Sequence, residues 1–132
     1  LIVGETYAAR LTAFDKSEDG SLGNRRIWAD LKVNAEEGTV PLPDGMCIDE
    51  EGAIWVASPS TAEVIRVHEG GMISERIPVQ TNAFACMLGG EDRRTLFICT
   101  SNGSGVDPEA ALREKSGKIE ITQVDVPGCG KP

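Results

Sequence analysis

Short apolar runs recur along this chain, each bounded by Gly, Asp, Asn or Pro, and three of them superpose. Leu1-Ile2-Val3-Gly4, Ile54-Trp55-Val56-Ala57 and Leu96-Phe97-Ile98-Cys99 align at offsets of 53 and 42 residues, and each precedes a short polar loop. The first two loops lead into a further apolar strand, Arg10-Leu11-Thr12-Ala13-Phe14 and Glu63-Val64-Ile65-Arg66-Val67. Upstream, Cys47-Ile48 matches Met87-Leu88. A repeat of about 40–50 residues built from four strands is the period of a propeller blade.

The pattern predicts an all-β chain with strands near 1–4, 10–15, 25–30, 45–49, 53–58, 63–68, 72–79, 84–89, 95–100 and 118–125. Alternation is clearest in Glu63-Val64-Ile65-Arg66-Val67-His68, a half-buried strand. The 45–49 and 53–58 runs are nearly continuous in apolar or small residues, as expected when both faces are packed. One short helix is predicted near 108–115. Asp107 is its N-cap, Pro108 its first residue and Gly117 its stop. Residues 1–132 read as a single region, with no internal domain boundary.

Thirteen basic and 21 acidic side chains give a net charge of −8. That balance argues against nucleic acid and anionic membrane surfaces as partners, because both draw on clustered Lys and Arg. No apolar run approaches the roughly 18 residues of a membrane span. Leu1-Ile2-Val3 lacks the basic region and cleavage site of a signal peptide, and the chain reads as one that starts inside a strand. Cys47, Cys86, Cys99 and Cys129 are spaced by 39, 13 and 30 residues, which matches no zinc pattern. Three lie in apolar strands and are expected to be buried free thiols, consistent with a reducing, cytoplasmic setting.

Asp44 is the candidate that carries chemistry. It stands between Pro43 and Gly45 immediately before an apolar strand, where a carboxylate can face the mouth of a β array and meet a hard cation or polar ligand. The alternative is an ordinary Pro-Asp-Gly turn, with the carboxylate bonded to its own backbone. Gly45 is expected to let the chain turn sharply into the strand. Asp15-Lys16-Ser17-Glu18-Asp19-Gly20 mimics the start of an EF-hand loop, but position 12 is Arg26 where a bidentate Glu is required, so it reads as a hairpin turn. The acidic tips Asp49-Glu50-Glu51-Gly52 and Gly89-Gly90-Glu91-Asp92 are expected to be solvated turns. His68 has no His or Cys partner nearby, and Ser58, Ser60 and Thr61 lack a nucleophile-elbow context. Asn102-Gly103-Ser104-Gly105 has the small residues of a phosphate cradle without the flanking P-loop sequence. Trp28, Trp55 and Phe84 are expected to be core aromatics between blades.

Several stretches together resemble the gluconolactonase / senescence-marker-protein / luciferin-regenerating-enzyme family. They are Arg10-Leu11-Thr12-Ala13-Phe14-Asp15, Asp19-Gly20-Ser21-Leu22 with Asn24-Arg25-Arg26, and the long string Pro43-Asp44-Gly45-Met46-Cys47-Ile48-Asp49-Glu50-Glu51-Gly52-Ala53-Ile54-Trp55-Val56-Ala57. Ala85-Cys86-Met87-Leu88-Gly89-Gly90, Arg94-Thr95-Leu96-Phe97 and Val126-Pro127-Gly128-Cys129-Gly130-Lys131-Pro132 complete the likeness.

The resemblance implies a six-bladed propeller, of which this chain supplies about two and a half to three blades. It also implies a divalent cation, calcium or zinc, and hydrolysis of small sugar-type lactones. Of the family's metal ligands only the Asp of the Pro-Asp-Gly motif carries over, onto Asp44, which the family also uses as a candidate to activate water. The implied site is therefore incompletely liganded on this chain. The isolated chain is expected to be inactive without the other half of the ring, or to complete the ring by self-association. A half-propeller interaction module, presenting 58–63 and 101–117, and a calcium-binding protein without catalysis are the alternatives.

Overall fold

The computed structural model describes residues 1–33, 35, 39–103 and 107–130. Among these residues ten strands form three antiparallel sheets. The first contains β1 (Ile2–Glu5), β2 (Arg10–Lys16) and β3 (Leu22–Asp30) in that order. The second contains β4 (Met46–Ile48), β5 (Ile54–Ser58), β6 (Glu63–Val67) and β7 (Ile73–Pro78). The third contains β8 (Asn82–Gly89), β9 (Thr95–Ser101) and β10 (Lys118–Gln123). A 3₁₀ turn over Thr6–Ala8 joins β1 to β2, and helix α1 (Pro108–Glu114) precedes β10. Every strand expected from the sequence is present, and β3 begins at Leu22 rather than Arg25.

The repeat matches the topology. β1, β5 and β9 are the superposing runs, and β5 and β9 are each second in their sheet. The middle sheet is a complete four-stranded blade. By the same count the first sheet lacks an inner strand and the third lacks an outer one among the described residues, leaving one edge of β1 and one of β10 without a ladder.

Two cores sit on either side of the middle sheet. Strand alternation sends Ile54, Val56, Ile65 and Val67 toward the first sheet, where they pack with Leu11, Trp28 and Leu31. It sends Trp55, Ala57 and Val64 toward the third sheet, against Leu88, Leu96 and Ile98. Each large apolar side chain buried this way contributes about 1.5–3 kcal/mol. β5 is buried throughout, as its continuous apolar run implies, whereas β4 is only partly covered, with Ile48 at 42% exposure. The outer face of the third sheet is apolar and uncovered. Met87, Phe97 and Ile121 lie side by side on it, beside Ala85, Cys99 and Ile119.

The seam between the second and third sheets closes at Gly45, whose N–H donates to the Phe84 carbonyl at 2.9 Å. A Cβ at Gly45 would stand 2.6 Å from Ala85 Cα and 2.9 Å from the Phe84 oxygen. The φ of Gly45 is not positive. Glycine is therefore required here for a close backbone approach, not for the sharp turn expected from the sequence.

Asp49 also departs from expectation. Glu50, Glu51 and Gly52 are exposed as a solvated tip should be, but the Asp49 carboxylate is fully buried and accepts from the Glu51 and Ala53 amides, both at 3.0 Å, and from Arg66 Nε at 2.7 Å. Arg66 is 5% exposed and also binds Glu51 at 2.8 Å. The C-terminal segment covers this turn, with the Glu50 amide donating to Pro127 and Asp49 bridging to Gly128. On the first sheet, Glu5 accepts from Arg10 at 2.8 Å, from Arg25 at 2.9 Å and from the Thr12 hydroxyl. The bonds from Arg10 and Thr12 lower the Glu5 pKa from 4.5 to about 2.

The cysteine expectation is met in part. No disulfide is present among the described residues, and Cys86 is buried, but Cys47 is half-buried and Cys99 and Cys129 are exposed. Alternation places Cys99 beside Phe97 on the uncovered face rather than in a core. The helix starts as predicted, with the Asp107 carboxylate accepting from the Ala110 amide at 3.0 Å. It stops at Lys115, in the left-handed region, ahead of Gly117.

Three outcomes follow from this framework. Gly45→Ala is expected to lower the unfolding free energy by about 1–3 kcal/mol in urea titrations, because its methyl group meets backbone that cannot rotate away. Arg66→Leu leaves the Asp49 carboxylate buried without its cation and is expected to cost about 3–5 kcal/mol, with partial recovery in the Arg66→Leu/Asp49→Asn double variant. A carboxylate with a depressed folded-state pKa stabilises above its unfolded value. Thermal stability should accordingly hold above about pH 4.5 and fall as pH drops toward 2, less steeply in Glu5→Gln.

Candidate functional site

The segment 43–45 is held from all three sheets. The Pro43 carbonyl accepts from the Thr6 hydroxyl at 2.8 Å, in the turn that follows β1. The Asp44 amide donates to the Ala57 carbonyl of β5 at 3.0 Å, and the Ala57 amide donates back to Gly45 at 2.9 Å. Gly45 then reaches across to β8 through Phe84. Below them, the Leu42 amide donates to Ser60 Oγ, and Ser58, Ser60 and Thr61 share hydroxyl bonds of 2.7 and 3.2 Å. These hydroxyls are structural fasteners for the segment that delivers Asp44.

Asp44 is thus fixed in its backbone at the junction of three sheets, with its side chain exposed. Its carboxylate has no hydrogen-bond or ion-pair partner among the described residues. That sets it apart from the turn aspartates. Asp19, Asp30, Asp49, Asp92 and Asp107 each bond a nearby backbone amide, and Asp15 bonds Asn24 and Arg26. Asp44 therefore does not form the self-bonded Pro-Asp-Gly turn, and its two oxygens are available for a cation or a water. Asp125, in the segment after β10, shares that freedom but lacks the three-sheet anchoring.

One carboxylate is not a metal cage. Among the described residues no group of three or more His, Cys, Asp or Glu side chains could hold an ion. Calcium takes six to eight oxygen ligands and zinc about four. Asp44 offers a single carboxylate, and the described residues supply no set of that size around it. The cavities beside β4 are lined by Leu1, Ile2, Met46, Cys47, Ile48 and Ile54 on one side, and by Cys47, Met87, Arg93 and Cys129 among others on the other. Asp44 lines neither.

The remaining sequence candidates resolve into structural roles. Arg26 binds Asp15 at 3.0 Å, so position 12 of the apparent EF-hand loop neutralises position 1. His68 Nε2 lies 3.0 Å from Ser74 Oγ and 3.3 Å from Arg66 Nη1. Trp28 and Trp55 are buried, and Phe84 is half-buried at the seam. Of the Asn102–Gly105 stretch, residues 104 and 105 lie outside the described residues; the Gly103 carbonyl accepts from Asn82. The sequence reading missed the Arg66–Asp49 pair. β6 is buried throughout rather than half-buried as its alternation suggested, because its polar side chains are enclosed with partners, Arg66 with Asp49 and Glu63 with Arg76.

Among the described residues no helix is long and apolar enough to cross a membrane. Residues 1–102 match the sequence profile of the SMP-30/Gluconolactonase/LRE-like region. The chain is 32% identical over 123 residues to 6-deoxy-6-sulfogluconolactonase of Pseudomonas putida, covering 92% of this chain and 41% of that protein. It is 36% identical over 130 residues to regucalcin of Homo sapiens, covering 94% of this chain and 41% of the relative. The fold superposes on luciferin-regenerating enzyme with a TM-score of 0.76 at 20% identity, over 97% of this chain and 42% of the other. It superposes on a regucalcin from Agrobacterium tumefaciens, described as a calcium-binding protein, with a TM-score of 0.74 at 21% identity, over 99% and 44%. The chain thus spans about two fifths of the length of these relatives, and its three sheets are blades of their β-propeller. On its sequence match and its fold together, the chain belongs to the SMP-30/gluconolactonase/LRE family.

Proposed function

We propose that this chain is part of a metal-dependent lactonase acting on small sugar-type lactones, and that Asp44 is its contribution to the reacting centre. The observation that carries the reading is the unspent Asp44 carboxylate, anchored in its backbone where three blades meet. A relative named as a sulfogluconolactonase supports the substrate class, and a fold neighbour described as calcium-binding supports a divalent cation. Such a cation, when bound, supplies polarisation of the lactone carbonyl. Asp44 would provide one oxygen ligand, or accept the proton of the attacking water as the ring C–O bond opens. The remaining ligands and the walls of the substrate pocket would come from outside the described residues. The chain alone would hold the ion weakly and turn over little lactone.

The uncovered apolar face of the third blade favours a second reading, in which this half-propeller is completed by another sheet packing on Met87, Phe97 and Ile121. An exposed apolar patch of this kind marks an interaction surface.

Native mass spectrometry with added calcium, paired with a gluconolactone assay, tests both readings. A weakly calcium-loaded monomer that loses the ion in Asp44→Asn, with no hydrolysis above that variant, is the expected result. Unchanged calcium uptake by Asp44→Asn would remove Asp44 from the site. An even oligomer that hydrolyses lactone would show that two half-rings rebuild the active propeller.

A further inference from the structure

Two thiols meet across the seam that Gly45 closes. Cys47 lies on β4, directly paired with Trp55, and packs against the core that holds Cys86 of β8. Cys86 is 5% exposed, and its Sγ also lies 3.4 Å from the Trp55 carbonyl and 3.7 Å from that of Gly45. Cys47 is half-buried and lines the cavities on both sides of β4. Cys47 therefore borders solvent-reachable space on the side of the seam where Cys86 is enclosed. The neighbouring Cys86 thiol holds the Cys47 thiol below its ordinary pKa against the opposing effect of burial; the proximity of Cys47 and burial push Cys86 well up. An accessible, acidified thiol poised against a second thiol is the arrangement of an oxidant-sensing pair.

We propose that Cys47 and Cys86 are a peroxide-sensitive pair, with Cys47 the attacking thiol and Cys86 the resolving one, and that their disulfide ties together the inner strands of two adjacent blades. In the first step Cys47 sulfur attacks one oxygen of hydrogen peroxide. An S–O bond forms and the O–O bond breaks, and the departing hydroxide takes up the thiol proton as water. In the second step Cys86 sulfur attacks Cys47 sulfur. The S–S bond forms, the S–O bond breaks, and hydroxide leaves with the Cys86 proton as a second water. Two thiols and one peroxide thus give one disulfide and two waters. Cys99 and Cys129 are more exposed but lack this pairing, although Cys129 shares one cavity with Cys47.

Peptide mapping of the intact chain after limiting hydrogen peroxide, with remaining thiols alkylated under denaturing conditions, tests the assignment. The expected product is a mass loss of about 2 Da per chain in a single Cys47–Cys86 cross-linked peptide, reversed by dithiothreitol. Its urea midpoint should lie above that of the reduced chain. In Cys86→Ser the oxidation should stop at a Cys47 sulfenic acid that dimedone captures. A Cys99→Ser/Cys129→Ser background, which leaves the seam untouched, should form the same cross-link at an unchanged rate. Oxidation confined to Cys99 and Cys129 would overturn the proposal, as would a Cys47–Cys129 bond in place of the expected one.

Discussion

The backbone contact between Gly45 and β8 is the constraint on which the rest of this molecule depends. At that point two blades approach until a single methyl group would collide with Ala85 Cα. The approach lets the Gly45 amide reach Phe84 and seats Trp55 and Ala57 against Leu88 and Leu96. It also places the preceding residue, Asp44, at the junction of three sheets and brings Cys47 to Cys86 two residues further into the strand. One missing side chain therefore sets the packing of the second core, the position of the candidate ligand and the meeting of the two thiols. A side chain at this position would have to displace main chain, and main chain in paired strands does not yield cheaply.

Among the described aspartates, Asp44 alone combines an anchored backbone at the meeting of three sheets with a carboxylate that has no partner. Most turn aspartates are occupied by amides within a few residues, and Asp15 by Arg26. The deeply buried pair of Asp49 with Arg66 lies inside the middle blade, and Asp49 is satisfied by two amides as well as the guanidinium. Burial without such partners would be strongly unfavourable. Asp44 escapes this pattern because its neighbours use its backbone and leave its side chain alone. An exposed carboxylate left unpaired costs little in stability, because water satisfies it.

Much of this architecture was legible in the chain. Strand positions followed from short apolar runs and their punctuation, because a strand's side chains alternate between two faces that each need covering. The helix was announced by Asp107 and Pro108, whose effects are local and survive in any context. The repeat correctly paired β1 with β5 and β9. Misreadings arose where the deciding partner is distant in sequence. Asp49 looked like the tip of a solvated hairpin until Arg66 and the segment around Pro127 and Gly128 closed over it. Cys99 looked like a core thiol because its strand is apolar on both sides. Its outward face, however, belongs to the blade with no neighbour among the described residues. Gly45 read as a turn glycine, since nothing in Pro-Asp-Gly signals that Ala85, forty residues on, lies against it.

The sequence by itself determined the all-β class, the blade repeat, the single helix, the family and the singling out of Asp44. Each of these rests on local periodicity, on caps and turns, or on a motif read in one stretch. Tertiary structure alone decided that Asp44 is held by three sheets with its carboxylate unspent, that Asp49 is buried, and that Cys47 faces Cys86. These depend on which strands lie side by side, and that is set by the packing of sheet faces whose residues are far apart along the chain.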